Sequence, residues 1–191
     1  AAAVIDVFAY NIDPACGGFD TGYTWGELKE KEINLAIAAK LKEKLDQTDI
    51  KVYYTRMDDV NPGKESRIRL ANETRADMYI RIELGVSQES GDYGTTAVYN
   101  GRYFIPGFGN VELADFLEKE VVSSIRGKAL GLEETDSSEE LLKYITVPAA
   151  IIRAGCATNK QEATLLERED YQEKIATGIY NAILKAYEEY K

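Results

Sequence analysis

Histidine is absent from all 191 residues. That excludes imidazole as a metal ligand, as a general base near neutral pH, and as the partner of a catalytic serine or cysteine. Cysteine is scarce as well: Cys16 and Cys156 are too few for a disulfide framework, match no paired zinc spacing and fix no redox compartment. No apolar run approaches the roughly 20 residues that a membrane-spanning helix needs. Positive charge is in short supply, with 23 Lys and Arg against 33 Asp and Glu and a formal net charge of -10. Such a balance repels phosphate backbones, and no basic patch is segregated along the chain, so nucleic acid is not an expected partner. Repeats, low-complexity tracts and linkers are missing. The opening Ala1-Ala2-Ala3-Val4 has neither the basic residues nor the apolar stretch of a secretion signal, but a processed chain would look the same, so it does not fix localisation.

What is present suits one folded domain over residues 1–191, because 45% apolar and 29% charged residues and this length allow a single well-buried core. The acid-rich Glu133-Glu134-Thr135-Asp136, Glu139-Glu140 and Glu188-Glu189 read as solvated faces or loops. Val7 to Ile12 is a β-rich run ending in Asp13-Pro14 and then Gly17-Gly18, which predicts a strand delivering the chain into a glycine loop. Ile33, Ala36, Ile37, Leu41 and Leu45 recur at three- and four-residue intervals and predict an amphipathic helix from Leu28 to Leu45, with Glu27, Glu30 and Glu32 near its start. Further strands are expected at Lys51 to Thr55, Met78 to Ile82, Thr95 to Tyr99 and Ala149 to Ile152. Further helices are expected at Lys64 to Glu73, Val111 to Ile125 and Tyr171 to Tyr187. Gly127 to Glu140 reads as a loop or short helix, and Leu141 to Ile145 as a candidate strand. Strands alternating with helices predict an α/β fold with a mainly parallel sheet covered on both faces, and a site where strand ends meet loops.

An ordered set of short segments carries a family resemblance. Asp13-Pro14-Ala15-Cys16-Gly17-Gly18, Glu30 to Ala36, Thr55-Arg56, Arg67 with Ala71-Asn72, Ala76-Asp77, Arg126-Gly127-Lys128, and Pro148 running to Gly155 and Asn159 together resemble the zinc-dependent N-acetylmuramoyl-L-alanine amidases. The likeness spans Val7 to Ala186. It implies a twisted six-stranded sheet flanked by helices, a zinc ion held by histidine, glutamate and histidine, a further glutamate as general base, and action on bacterial cell-wall peptidoglycan outside the cytoplasm. Carried onto this sequence, the first histidine falls at Cys16, the zinc-binding glutamate at Glu30, the second histidine at Glu83 and the general base at Arg153. Three of those four positions have changed.

Cys16, Glu30 and Glu83 offer sulfur and oxygen donors, so the ligand types alone leave a metal-dependent amidase with unusual ligands open. Three anionic ligands would weaken the ion's ability to acidify water. A guanidinium about 4 Å from a divalent cation would cost roughly 8 kcal/mol at an effective dielectric of about 20. An arginine fork between carboxylates is the natural alternative, so Arg153 is expected to pair with Glu30, Glu83 or both in place of zinc, or else to lie at the surface. Either way no general base remains, since arginine accepts no proton from water. Cys16 in a glycine loop resembles a nucleophile, yet without histidine to activate it a buried inert thiol is the simpler reading. A Cys16–Cys156 disulfide is conceivable near the same strand ends. Tyr23, Trp25, Tyr103 and Phe104 fall in predicted loops and could stack on sugar rings.

These readings converge on a catalytically inactive amidase-like domain without zinc or other cofactor. It is expected to bind a peptidoglycan fragment or an envelope protein at the cell wall or envelope. A purely structural or assembly role is the remaining alternative, and the sequence sets no oligomeric state.

Overall fold

The computed structural model describes residues 8–135 and 140–190. In chain order the elements are β1 (Ala9–Pro14), a hairpin of β2 (Thr24–Trp25) and β3 (Leu28–Lys29), α1 (Glu30–Leu45), β4 (Lys51–Tyr54), α2 (Lys64–Glu73), β5 (Met78–Gly85) and β6 (Thr95–Asn100). The chain continues with α3 (Asn110–Ile125), β7 (Ala129–Thr135), α4 (Glu140–Lys143), β8 (Ala149–Cys156), α5 (Lys160–Leu166) and α6 (Glu169–Tyr190). Six strands form one sheet in the order β4-β1-β5-β8-β6-β7. The first four run parallel, while β6 pairs antiparallel with β8 and parallel with β7. This is the mainly parallel α/β architecture expected.

The two sheet faces are covered unequally. On one, Ile12, Ile80, Ile82, Leu84 and Ile152 bury against α1, α3 and α6 through Ile37, Leu41, Leu117, Ile179 and Ile183. Alternation along β5 and β8 sends Tyr79 and Ile151 to the other face, where they pack with Ala71 of α2 and Leu141, Leu142 and Ile145 in and after α4. That second cover is short. It leaves Arg81, Glu83 and Arg153, on the same face nearer the strand ends, partly accessible.

Three local expectations are corrected and one helix is added. Residues 129–135 form an edge strand rather than a loop or helix; residues 136–139 of that expectation, like Val7 of the first strand, lie outside the described residues. The strand shows no alternation because nearly all of it is exposed, and Gly131 at φ 86 marks an irregularity in its register with β6. Leu141 and Leu142 sit in a one-turn helix, not a strand: two adjacent apolar residues cannot distinguish the two, and here both plug the thin side of the core. α5, too short for a periodic pattern, is fixed by Asn159, whose side chain accepts from the backbone N–H groups of Gln161 and Glu162. α1 starts at Glu30 because Leu28 and Lys29 are drawn into the hairpin with β2.

Candidate functional site

Strand register aligns charges across the parallel part of the sheet. Asp13 of β1 is the partner of Arg81 in β5, and Glu83 of β5 is the partner of Arg153 in β8. Asp13 is fully buried; its Oδ2 accepts from Arg81 Nη1 at 2.5 Å and from the Tyr79 hydroxyl, and its Oδ1 from Arg67 Nη1 of α2 and from the Thr55 hydroxyl at 2.5 Å. Arg81 Nε donates to Glu83 Oε1 at 2.7 Å, and Arg153 Nε to Glu83 Oε2 at 3.3 Å. Arg153 Nη1 reaches Glu133 Oε2 on β7 at 3.2 Å. Arg67, Asp13, Arg81, Glu83, Arg153 and Glu133 thus alternate in sign and sum to zero. Burial alone would raise the Asp13 carboxyl, but Arg81 and Arg67, with the two hydroxyl donors, bring it down to about 2.

Beside this ladder, Glu30 opens α1 almost wholly buried. Its Oε2 accepts from the Tyr23 N–H at 2.9 Å and its Oε1 from the Leu84 N–H at 3.0 Å, so it staples the loop before β2 to the end of β5. Cys16 lies against it in a left-handed backbone conformation, φ 62, with its carbonyl held by Arg67 Nη2 at 2.7 Å. Gly22, φ 63, is the residue that lets the loop close: a Cβ there would stand 2.6 Å from Glu30 Oε2 and 2.7 Å from Cys16 Sγ. Burial, then the Glu30 charge, pushes the Cys16 thiol up to about 12. Modification of Cys16 by a disulfide reagent at pH 7, followed in a Cys156→Ser background, is therefore expected to run roughly thirtyfold or more slower than for an unperturbed thiol, the greater nucleophilicity of a more basic thiolate offsetting part of the loss of thiolate. Reaction at the free-thiol rate would contradict this placement. Cys16 and Cys156 are both free thiols, so the conceivable disulfide is not formed.

Arg153 makes one of the pairings expected of it, and a second arginine joins the site. Arg153 does point inward and bonds Glu83, but it makes no bond to Glu30, whose oxygens are directed to backbone N–H groups instead. Arg81 was not singled out, although it precedes Glu83 by two residues and so shares its side of the strand. A divalent cation finds a poor donor set in this arrangement. Both oxygens of Glu83 accept from guanidinium groups, and the positive charges of Arg81 and Arg153 on either side of it would oppose a cation there. Among the described residues no group of three or more Cys, Asp or Glu side chains is placed to hold a metal ion.

The aromatic residues divide by sheet end. Tyr23 is half-buried and Trp25 is 43% exposed, both in the segment that Glu30 anchors beside the ladder. Phe19, 90% exposed in the tight Gly17–Asp20 turn, is a further exposed aromatic of the same connection, and a lone aromatic in a glycine loop has no periodic signal in the sequence. Tyr103 and Phe104 follow β6, and because β6 runs antiparallel to β8 its end at Asn100 carries them to the end of the sheet away from the ladder.

Comparison with known proteins matches residues 11–185 to the family model described as N-acetylmuramoyl-L-alanine amidase. The germination-specific N-acetylmuramoyl-L-alanine amidase of Bacillus subtilis is 28% identical, over 93% of this chain and 79% of its own length. The protein YqiI of the same organism is 30% identical over 99% of this chain and 89% of its length. The crystal structure of an N-acetylmuramoyl-L-alanine amidase from Clostridium difficile 630 superposes with a TM-score of 0.88 at 31% identity, covering 95% of this chain and 97% of that one. The CwlD amidase of Clostridioides difficile, solved in complex with the GerS lipoprotein, gives a TM-score of 0.87 at 28% identity over 95% and 98% of the two chains.

Proposed function

Since the chain belongs to the N-acetylmuramoyl-L-alanine amidase family, we propose that it is a cell-wall domain in which a hydrolytic centre has given way to a neutral, metal-free ladder of ion pairs, leaving a binding or regulatory module. The observation that carries this reading is the pairing of Glu83 with both Arg81 and Arg153. Carboxylate and guanidinium planes satisfy each other there, so the positive charge that a metal ion would bring is already supplied by side chains. Hydrolysis also needs a base within reach of water, and Arg153, at the place the resemblance assigns to that base, stays protonated at any workable pH.

The module binds, outside the cytoplasm, a peptidoglycan fragment or an envelope protein. Phe19 and Trp25 are both exposed on the stretch that runs from β1 into the β2–β3 hairpin, and exposed aromatic faces stack on sugar rings. A protein partner is the variant suggested by CwlD, which was solved bound to a lipoprotein. Among the described residues no helix is long and apolar enough to cross a membrane.

The test is elemental analysis of the protein after zinc loading and desalting, run with a muropeptide-release assay and co-sedimentation with purified cell-wall sacculi. Substoichiometric zinc, no peptide release and co-sedimentation that falls on Trp25→Ala are expected. Stoichiometric zinc or release of peptide would establish a working amidase with unusual ligands instead. Absence of both release and sedimentation would leave the protein-partner form of the reading.

A further inference from the structure

Apart from the charge ladder, a cavity opens where the α3–β7 turn, α5 and the start of α6 meet the segment before β6. Its volume is about 450 Å³, within the range that holds small molecules, and it shares no residue with the charge ladder. One wall is apolar, from Ile125, Leu165 and Tyr171. The rim is cationic. Arg126 and Lys128 line it, and neither makes an ion pair among the described residues, on a chain whose formal net charge is -10. Lys128 Nζ instead sits 4.4 Å from the centre of the Tyr93 ring, which also lines the cavity. The one carboxylate in the lining, Glu162, is turned to the backbone: its Oε2 accepts from Gly94 N at 2.9 Å and from Cys156 N at 2.6 Å.

The backbone at Arg126 adds a second sign that this rim is built. Arg126 ends α3 in the left-handed region, φ 53, where its N–H caps Ser123 and the Gly127 N–H caps Val122. Glycine or asparagine normally takes that conformation, and a residue with a longer side chain there costs roughly 1 kcal/mol because its Cβ crowds the following carbonyl oxygen. The Arg126-Gly127-Lys128 run is thereby folded back so that both cations border one apolar hollow.

We propose that this cavity is a second binding site, which takes a small molecule with an anionic head, either a carboxylate or a phosphate monoester, and an apolar body. The head meets Arg126 and Lys128, and the body lies against Tyr93, Leu165 and Tyr171. The site does not rest on the loss of hydrolysis at the ladder, so zinc binding or peptide release by the protein leaves it standing.

Calorimetric titration of the full chain with N-acetylphenylalanine, its neutral C-terminal amide and phenyl phosphate tests it. At least one of the two anions is expected to bind about tenfold or more tightly than the amide, the weight of a charge-assisted hydrogen bond. Arg126→Gln and Lys128→Gln should each weaken that anion about tenfold, and the double variant should abolish binding, with melting temperatures unchanged. Lys160→Gln, a nearby cation outside the lining, should leave affinity as it was. Preference for the acid over phenyl phosphate assigns the head to a carboxylate, and the reverse preference assigns it to a phosphate. Equal binding of acid and amide, retained affinity in the double variant, or no binding of either anion at millimolar concentration overturns the proposal.

Discussion

Zinc binding is expected to appear when four residues are changed together, Cys16→His, Arg81→Ala, Glu83→His and Arg153→Glu, and to be much weaker when Arg81 is left in place. The triple change restores the ligand and base types that the family resemblance implies, with Glu30 retained. It also strips Arg81 of its Nε partner, since Glu83 Oε1 is the acceptor at 2.7 Å. A guanidinium left beside a divalent ion opposes it by several kcal/mol at an effective dielectric of about 20, softened by the Asp13 carboxylate that still holds its other end. The expected gap between quadruple and triple variants is therefore roughly a hundredfold in zinc affinity or more. Glu30 is already oriented by the Tyr23 and Leu84 N–H groups and keeps lone pairs for a metal. Zinc content, read by elemental analysis and competition with a chromogenic chelator, decides the matter, and muropeptide release reports whether the new glutamate at 153 works as a base. A quadruple variant that melts cooperatively yet holds no zinc would show that the pocket has lost more than its ligands.

Asp13→Asn should be the most destabilising single change in the molecule's polar core. Asparagine keeps the volume of Asp13 but not the charge that compensates Arg67 and Arg81, and its amide presents donors toward donors. Removing one member of a buried ion network costs about 3 to 5 kcal/mol because the partners stay buried without a counter-charge. For a domain of this size that corresponds to a fall in melting temperature of roughly 6 to 20 °C. The same carboxylate makes stability depend on acid. Its folded value, about 2, lies below the unfolded value near 4, so its contribution is fully present above about pH 4 and is lost as pH falls toward 2. That contribution is about 2 kcal/mol, and its share of the acid dependence should vanish in Asp13→Asn. Denaturant melts between pH 7 and pH 2 measure both effects, and a variant as stable as the parent at pH 7 would mean that the arginines are compensated from elsewhere.

The order of elements was legible because burial leaves a local imprint. β1, β5 and β8 are apolar along most of their length since both faces of a parallel sheet are covered, and α1, α3 and α6 repeat apolar residues on one side since only one side meets the sheet. β7 left no such imprint, being an exposed edge strand, and α5 is defined by one capping asparagine. The candidate site was legible by residue type: Cys16, Glu30, Glu83 and Arg153 stand on the sequence where chemistry would be expected. The bonds among them were not. Glu30 turned to backbone N–H groups that come from the hairpin loop and from the end of β5, and Arg81 entered the site from two residues away.

By itself, then, the sequence determined the α/β class, most of its helices and strands, and the loss of histidine from a place that the resemblance reserves for it, since each of these depends on residue identity and spacing within one segment. Which charges meet was decided by the tertiary structure. Asp13 reaches Arg67 and Arg81, Glu83 reaches Arg153, and the Arg126 turn closes on α5 only because the strand order β4-β1-β5-β8-β6-β7 and its register bring together residues that lie tens of positions apart. Electrostatic pairing falls off over a few ångströms, so it is set by those distances in space and not by separation along the chain.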